Sequence, residues 1–306
     1  MSLVGGRENC SKEVLRTKGT FLGISAILLW GTLPLLRLMA GEIPSLQLTF
    51  MALGTAALVT LLMSGSKGSI LTKWASSPES RSAYKATGFL LGAVVFYFAA
   101  LPLAPAGEVT LVTYLWPLGL AIAICLSAGF LPGPKMWMGI VLAFGGAALA
   151  LMSGSSQGGN PGMDQWSMLG YMLGLASGGC WIGYSLMLSR LPPDLGLHGR
   201  IFAGAALVAV ALHLVLESTV WDVSFQGILA AATIGIGPYG LAFLAWGQGL
   251  RFGHTGVLSS LCYTVPLVAT TLLIFAGAET WRPQLILAAL AVAGGAWMAS
   301  DSSGGK

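Results

Sequence analysis

Charge is what this chain most conspicuously lacks. Only 8% of its 306 residues are Asp, Glu, Lys or Arg, about a third of the roughly 25% that soluble domains carry. A water-facing surface cannot be built from so few. With 55% hydrophobic residues and a mean hydropathy of +0.80, soluble globular and disordered chains are excluded, and nucleic-acid binders with them. Cysteine is scarce too. Cys10, Cys125, Cys180 and Cys262 show no paired spacing, and three of them lie inside apolar runs. They read as small buried hydrophobes rather than a disulfide or zinc framework, and no cofactor or metal is implied.

Acidic residues are missing where a proton pump would need them. All eleven (Glu8, Glu13, Glu42, Glu79, Glu108, Asp164, Asp194, Glu217, Asp222, Glu279, Asp301) fall in connections or at the ends of apolar runs. Proton relays embed a carboxylate or histidine within a span. His213 is the one well-embedded titratable residue, and its place near a helix end marks it as structural. This pattern favours facilitated movement or a weakly coupled mechanism and speaks against a multidrug cation pump that balances drug charge with an embedded Glu.

What the chain has in abundance is apolar runs. Crossing a bilayer takes about 20 mostly apolar residues, and ten segments qualify: 19–38, 46–64, 84–103, 108–128, 135–153, 167–189, 200–216, 226–248, 255–276 and 283–300. The first follows Arg7, Lys12, Arg16 and Lys18 and is too long for a signal peptide, and Leu38-Met39-Ala40 is a poor cleavage site. Glycine, at 43 residues, is about double the usual share of roughly 7%, which suits helices packing closely in lipid. Across the ten segments, 13 of the 15 basic residues fall on one side, with Arg37 and Arg282 opposite. By the positive-inside rule both termini are cytoplasmic.

The chain also resembles itself. A shift of 149 places Gly107 on Gly256, Tyr114 on Tyr263, Pro117 on Pro266 and Pro134 on Pro283; a shift of 151 places Gly19 on Gly170, Gly23 on Gly174 and Trp30 on Trp181. Between the halves lies a Gly/Ser-rich stretch from Ser153 to Gly162, a flexible linker by composition. Five helices per half is an odd number, so the second half must enter from the opposite side. Inverted repeats of this kind hold their substrate site near the midplane, and matched intramembrane prolines point to it.

Pro117 lies about 13 Å deep at 1.5 Å per residue, and Pro266 occupies the matching place. Each removes a helical hydrogen bond, which is expected to free the carbonyls of Thr113 and Cys262. Thr110, Thr113, Tyr114 and Pro117 share one helical face, as do Ser259, Tyr263, Pro266 and Thr270. Such stripes serve either a ligand or interhelical hydrogen bonding. Trp74, Trp137, Trp166, Trp221, Trp281 and Tyr84 lie at span ends, as an interfacial belt requires. Trp30, Tyr97, Tyr114, Trp116, Trp181, Tyr184, Tyr239 and Tyr263 lie deep, and rings at depth either pack the core or line a pathway that stacks on planar substrates.

These features resemble a known family. Two five-helix halves with Leu29-Trp30-Gly31 in the first helix are similar to the drug/metabolite transporter superfamily, EamA-type branch. The run from Glu108 to Pro117, ending Tyr114-Leu115-Trp116-Pro117, resembles that of its YddG-type aromatic amino acid exporters, as does Ala245-Trp246-Gly247-Gln248-Gly249-Leu250 with Gly253-His254. Thr113 and Gly247 depart from asparagines in the family pattern. The resemblance matches Tyr97, Tyr114, Trp116, Trp181 and Tyr263 to the family's aromatic positions. It implies export of phenylalanine, tyrosine and tryptophan, and of planar toxic compounds.

The expectation is an all-α integral membrane protein of ten transmembrane helices in two inverted five-helix repeats, residues 1–153 and 167–306, joined by a linker at 154–166. It is expected to be a transporter of the bacterial inner membrane, working by alternating access, with a small-molecule substrate and the lipid bilayer as partners and no nucleic acid. The substrate site is expected at Trp30, Tyr97, Thr113, Tyr114, Trp116, Trp181, Tyr184, Tyr239 and Tyr263, with Pro117 and Pro266 as gating kinks. Export of other small amphipathic metabolites is the alternative. A channel has only Gly237-Pro238-Tyr239-Gly240 to support it. An intramembrane enzyme lacks both a His-Glu-x-x-His motif and a nucleophile elbow, since Gly183-Tyr184-Ser185-Leu186-Met187 misses its final glycine.

Overall fold

The computed structural model describes residues 3–64, 78–104, 106–154, 165–278, 281 and 283–301. Trp74, Lys67, Lys73, Arg282 and most of the expected linker lie outside the described residues. Among those described, every regular element is helical. In chain order they are α1 (Leu3–Gly31), α2 (Leu33–Met39), α3 (Ser45–Met63), α4 (Pro78–Ala100), α5 (Ala106–Thr113), α6 (Trp116–Ser127) and α7 (Pro134–Gly154), followed by α8 (Gln165–Arg190), α9 (Leu195–Leu216), α10 (Phe225–Ile234), α11 (Ala242–Phe252), α12 (Thr255–Leu261), α13 (Val265–Phe275) and α14 (Gln284–Asp301). A π-helical turn, Gly235–Leu241, joins α10 to α11, and a 3-10 turn, Cys262–Thr264, joins α12 to α13. Seven stretches are long and apolar enough to cross a membrane, and three shorter apolar helices accompany them at Trp116–Ser127, Pro134–Leu149 and Ile286–Gly295. The chain is a multi-pass membrane protein.

Helix ends follow local chemistry. The seventh apolar segment, expected from residue 200, begins earlier at Leu195, because Pro192-Pro193 stop the preceding chain and Asp194 caps the new helix, its Oδ1 accepting from Leu197 N at 2.6 Å. Ser224 caps α10 in the same way at Gly227 N. Helices α6 and α13 end alike. The Phe130 N–H bonds back to Cys125 O and the Ala278 N–H to Leu273 O, with Gly129 at φ 81° and Gly277 at φ 72°. That is the Schellman closure, whose left-handed residue favours glycine.

The most extensive packings pair α7 with α14, α3 with α9, α4 with α8, and α1 with α11. Glycine makes several of them close. A Cβ on Gly249 of α11 would stand 2.8 Å from Gly23 Cα of α1, and one on Gly146 of α7 would stand 2.7 Å from the Ala288 carbonyl of α14. Lipid supplies no hydrophobic drive between helices, so close packing of this kind must hold them.

At the ends of α3 and α9 a polar network takes over. Glu217 Oε1 and Oε2 accept from Leu46 N at 3.0 and 3.1 Å, and Oε2 accepts from Gln47 N at 3.2 Å. A carboxylate at a helix N-terminus satisfies orphan donors and complements the dipole. His213, 1% exposed, lies 2.9 Å from Glu217 Oε2 through Nδ1 and 2.9 Å from Thr219 Oγ1 through Nε2. The Gln47 side chain exchanges two bonds with the Val220 backbone. His213 is thus fully engaged in holding two helix ends together.

A Gly249→Val variant is expected to force α1 and α11 apart, with overpacking strain of about 1–3 kcal/mol. Gly54→Ala, whose new methyl would meet nothing within 4 Å, should be neutral or slightly stabilising through helix propensity. Thermal unfolding in detergent checks both; equal melting temperatures for the two variants would count against the close-packing account.

Candidate functional site

Five of the sequence-predicted rings converge. Trp30 of α1, Trp116 of α6, Trp181 and Tyr184 of α8, and Tyr239 of the π turn belong to one cluster with Phe202, Phe243 and Trp246. Phe243 is its hub. It lies 5.2 Å from Tyr184, 5.7 Å from Tyr239, 5.8 Å from both Trp30 and Trp181, and 6.1 Å from Phe202, ring centre to ring centre. Trp30, Trp116 and Trp246 form a second triangle with separations of 5.3 to 6.5 Å. Most contacts are edge-to-face or tilted, the arrangements ring quadrupoles favour; Tyr239 stacks on Phe243 at 10°.

The indole N–H groups hold the cluster in place. Trp30 Nε1 donates to the Pro238 carbonyl at 2.9 Å, a bond between α1 and the π turn. Trp246 Nε1 donates to Ser185 Oγ at 3.1 Å, tying α11 to α8. The rings then divide by exposure. Tyr184, Phe243 and Trp246 are each 1% exposed, whereas Trp30, Trp116, Trp181 and Tyr239 are half-buried. The latter four keep part of their surfaces uncovered, and the former three pack behind them. The Tyr184 hydroxyl is buried with no hydrogen-bond partner.

The remaining predicted residues lie elsewhere. Tyr114 and Tyr263 pack together with Phe144 against α7, the Phe144 and Tyr263 rings 5.9 Å apart. The Tyr97 hydroxyl is 2.9 Å from Thr110 Oγ1, in a third cluster with Ala100, Ala104 and Val109. Thr113 donates to the Gly174 carbonyl at 3.2 Å, a bond that joins α5 to α8. Pro117 and Pro266 are buried second residues of α6 and α13. They therefore start new helical segments, where a missing N–H costs nothing, rather than kinking continuous ones. The carbonyl expected to be free at Cys262 accepts from the Val265 N–H, the 3-10 bond of that turn, and the Thr113 carbonyl faces Gly178, where an added Cβ would come within 2.9 Å.

Phe202, Phe243 and Trp246 also belong to the cluster, though none is among the residues expected at the site. Phe202 and Phe243 carry no polar handle; the sequence signal for Phe243 and Trp246 is helical spacing, since Tyr239, Phe243 and Trp246 recur at intervals of four and three along one face. Of the described cysteines, Cys125, Cys180 and Cys262 are free, and no group of metal-ligating side chains occurs among the described residues.

The molecule is an all-helical membrane body with a ring cluster where α1, α6, α8, α9 and α11 meet. Comparison with known proteins gives the family. Residues 17–152 match the EamA-like transporter family. An aromatic amino acid exporter, YddG, of Ancylobacter novellus is 34% identical over 93% of this chain and 98% of its own length. The protein of the same name from Salmonella typhimurium strain 14028s is 25% identical, covering 83% of this chain and 87% of that one. A solved crystal structure superposes with a TM-score of 0.79 at 30% identity, over 93% of this chain and 98% of the other. The chain belongs to the EamA-like transporter family of the drug/metabolite transporter superfamily.

Phe243→Ala should remove the hub and destabilise the protein by about 3–5 kcal/mol. A melting temperature within one degree of the parent would show that the surrounding rings close the gap without it.

Proposed function

We propose that this protein exports aromatic amino acids (phenylalanine, tyrosine and tryptophan) and planar toxic compounds across a bacterial inner membrane by alternating access. The observation that carries this reading is the ring cluster. Four half-buried rings stand on a rigid backing of three buried ones, on helices drawn from both halves of the chain. Planar rings recognise planar rings by stacking and edge contacts worth about 0.5–1.5 kcal/mol a pair beyond area burial. The names of the two YddG relatives point the same way.

Alternating access calls for two helix bundles that can rock against each other, and the packing pairs helices of the first half with helices of the second in each of them. The seven long stretches with the three shorter apolar helices make ten spans, if α5 and α6 are read as one interrupted crossing. Residues 1–153 are then one five-helix repeat, 167–306 its inverted partner, and 154–166 the linker between them. Numbering the spans one to ten, the four most extensive packings are first with eighth, second with seventh, third with sixth and fifth with tenth. Exchanging the halves sends each of these pairs to itself or to another of the four, as a two-fold axis between repeats requires. Fourth and ninth spans break at matching places, after Thr113 and at Cys262–Thr264, and end in matching Schellman closures. Trp30 and Trp181, equivalent by the repeat, both touch Phe243. The basic residues assign both termini to the cytoplasm.

Purified protein in liposomes is expected to catalyse counterflow of labelled phenylalanine without a pH gradient. Trp116→Ala should lower the rate at least tenfold, whereas Tyr97→Phe, remote from the cluster, should change it little. Wild-type counterflow by Trp116→Ala would sink the site; no counterflow of any aromatic amino acid by the parent protein would sink the substrate class.

A further inference from the structure

A cleft of about 220 Å³ opens at the ends of α6, α8 and α11, lined by Ile124, Ser127, Ala128, Leu186, Ser189, Arg190 and Leu250. It is smaller than the roughly 300–1,000 Å³ of pockets for drug-sized ligands, and so fits a small metabolite. Helices α6 and α11 both pack on α8 and all three end at the cleft, and each carries cluster rings one to just over two turns earlier. Trp116 precedes Ile124 by eight residues, Tyr184 precedes Arg190 by six, and Trp246 precedes Leu250 by four. At 1.5 Å per residue the floor of the cleft is about 6–12 Å from the rings along the helices. Resting on the orientation proposed above, this is the cytoplasmic mouth of the pathway.

The lining is chemically tripartite. Ile124, Leu186 and Leu250 give an apolar wall. Arg190 brings an exposed guanidinium with no acidic partner among the described residues; the nearby Asp194 carboxylate is occupied with the Leu197 N–H. Ser127 Oγ donates to Ala123 O at 2.7 Å, and Ser189 Oγ donates to Leu186 O at 2.9 Å. With their protons committed to their own helices, both hydroxyls present only lone pairs to the cleft. We infer that this cleft is a loading site for the zwitterionic head of an α-amino acid: Arg190 binds the carboxylate, Ser127 and Ser189 accept from the ammonium, and the apolar wall takes the side chain before it passes to the rings. Arg190 is therefore a specificity-determining residue that separates amino acids from amines sharing the same ring. Arginine suits the task because its planar fork meets a carboxylate with two parallel bonds.

Three probes dissect the head group: phenylalanine, phenylethylamine without the carboxylate, and 3-phenylpropanoate without the ammonium. Binding to detergent-purified protein and transport in phosphatidylcholine liposomes are measured for the parent, R190Q, R190K and the S127A/S189A double variant. R190Q is expected to weaken phenylalanine and phenylpropanoate about tenfold, mainly in KM, while leaving phenylethylamine unchanged; R190K should restore part of the loss. The double serine variant should weaken phenylalanine and phenylethylamine and spare phenylpropanoate. Equal effects of R190Q on all three probes, or none on phenylalanine, overturn the assignment. So does an R190Q effect seen only when phosphatidylglycerol is added, which makes Arg190 a lipid-phosphate contact. Parent protein that binds phenylalanine with this pattern but does not move it overturns the exporter reading alone, and parent protein that neither binds nor moves it overturns both.

Discussion

Hydrocarbon cannot hydrogen-bond a peptide group, and the rest of this structure depends on that fact. Every interruption of a helix leaves donors or acceptors that must be paired within the chain. At several of these interruptions the replacement partner comes from a neighbouring helix. The Pro238 carbonyl, inside the π turn, takes its bond from Trp30 Nε1. The first N–H groups of α3 are met by Glu217, and the His254 N–H ahead of α12 by Thr20 Oγ1 of α1 at 2.9 Å. Ser177 of α8 adds a bond to the Ala93 carbonyl of α4 at 2.7 Å. Satisfying the backbone and tying the helices together are one operation. At this end of the molecule His254 lies beside Arg16, with burial first and that positive charge second holding its pKa below the usual histidine value.

The ring cluster follows the same economy. Trp30, half-buried, fastens the π turn, and the buried Trp246 fastens α11 to α8 through Ser185. These two anchored indoles, packed with Phe243 and Tyr184, leave the half-buried faces of Trp116, Trp181 and Tyr239 at defined angles. With rings alone in contact, the cluster's geometry rests on shape and quadrupoles.

Much of this was legible in the residues. Bilayer thickness imposes a length on every span, so the apolar runs emerge from composition alone, and Pro117 and Pro266 announced breaks that do occur beside them. Proline's missing N–H was read as a kink, whereas the chain resets its helix there and lets Val265 bond Cys262. Depth along a span is also visible in sequence, but azimuth is not. Trp116 and Tyr114 lie two residues apart, yet one joins the ring cluster and the other packs with Tyr263 against α7. Phe243 escaped notice because it has no polar handle, although Tyr239 and Trp246 flank it on the same face. The cap on α3 comes from 171 residues away, a pairing that no local pattern announces.

The Glu217 cap also bears on motion. It joins the start of α3 to the loop beyond α9 by several short bonds, while the two helices pack along their lengths. A pair fixed both at its end and along its flank has no soft joint of its own. In any rocking of the protein α3 and α9 therefore swing together as a single lever.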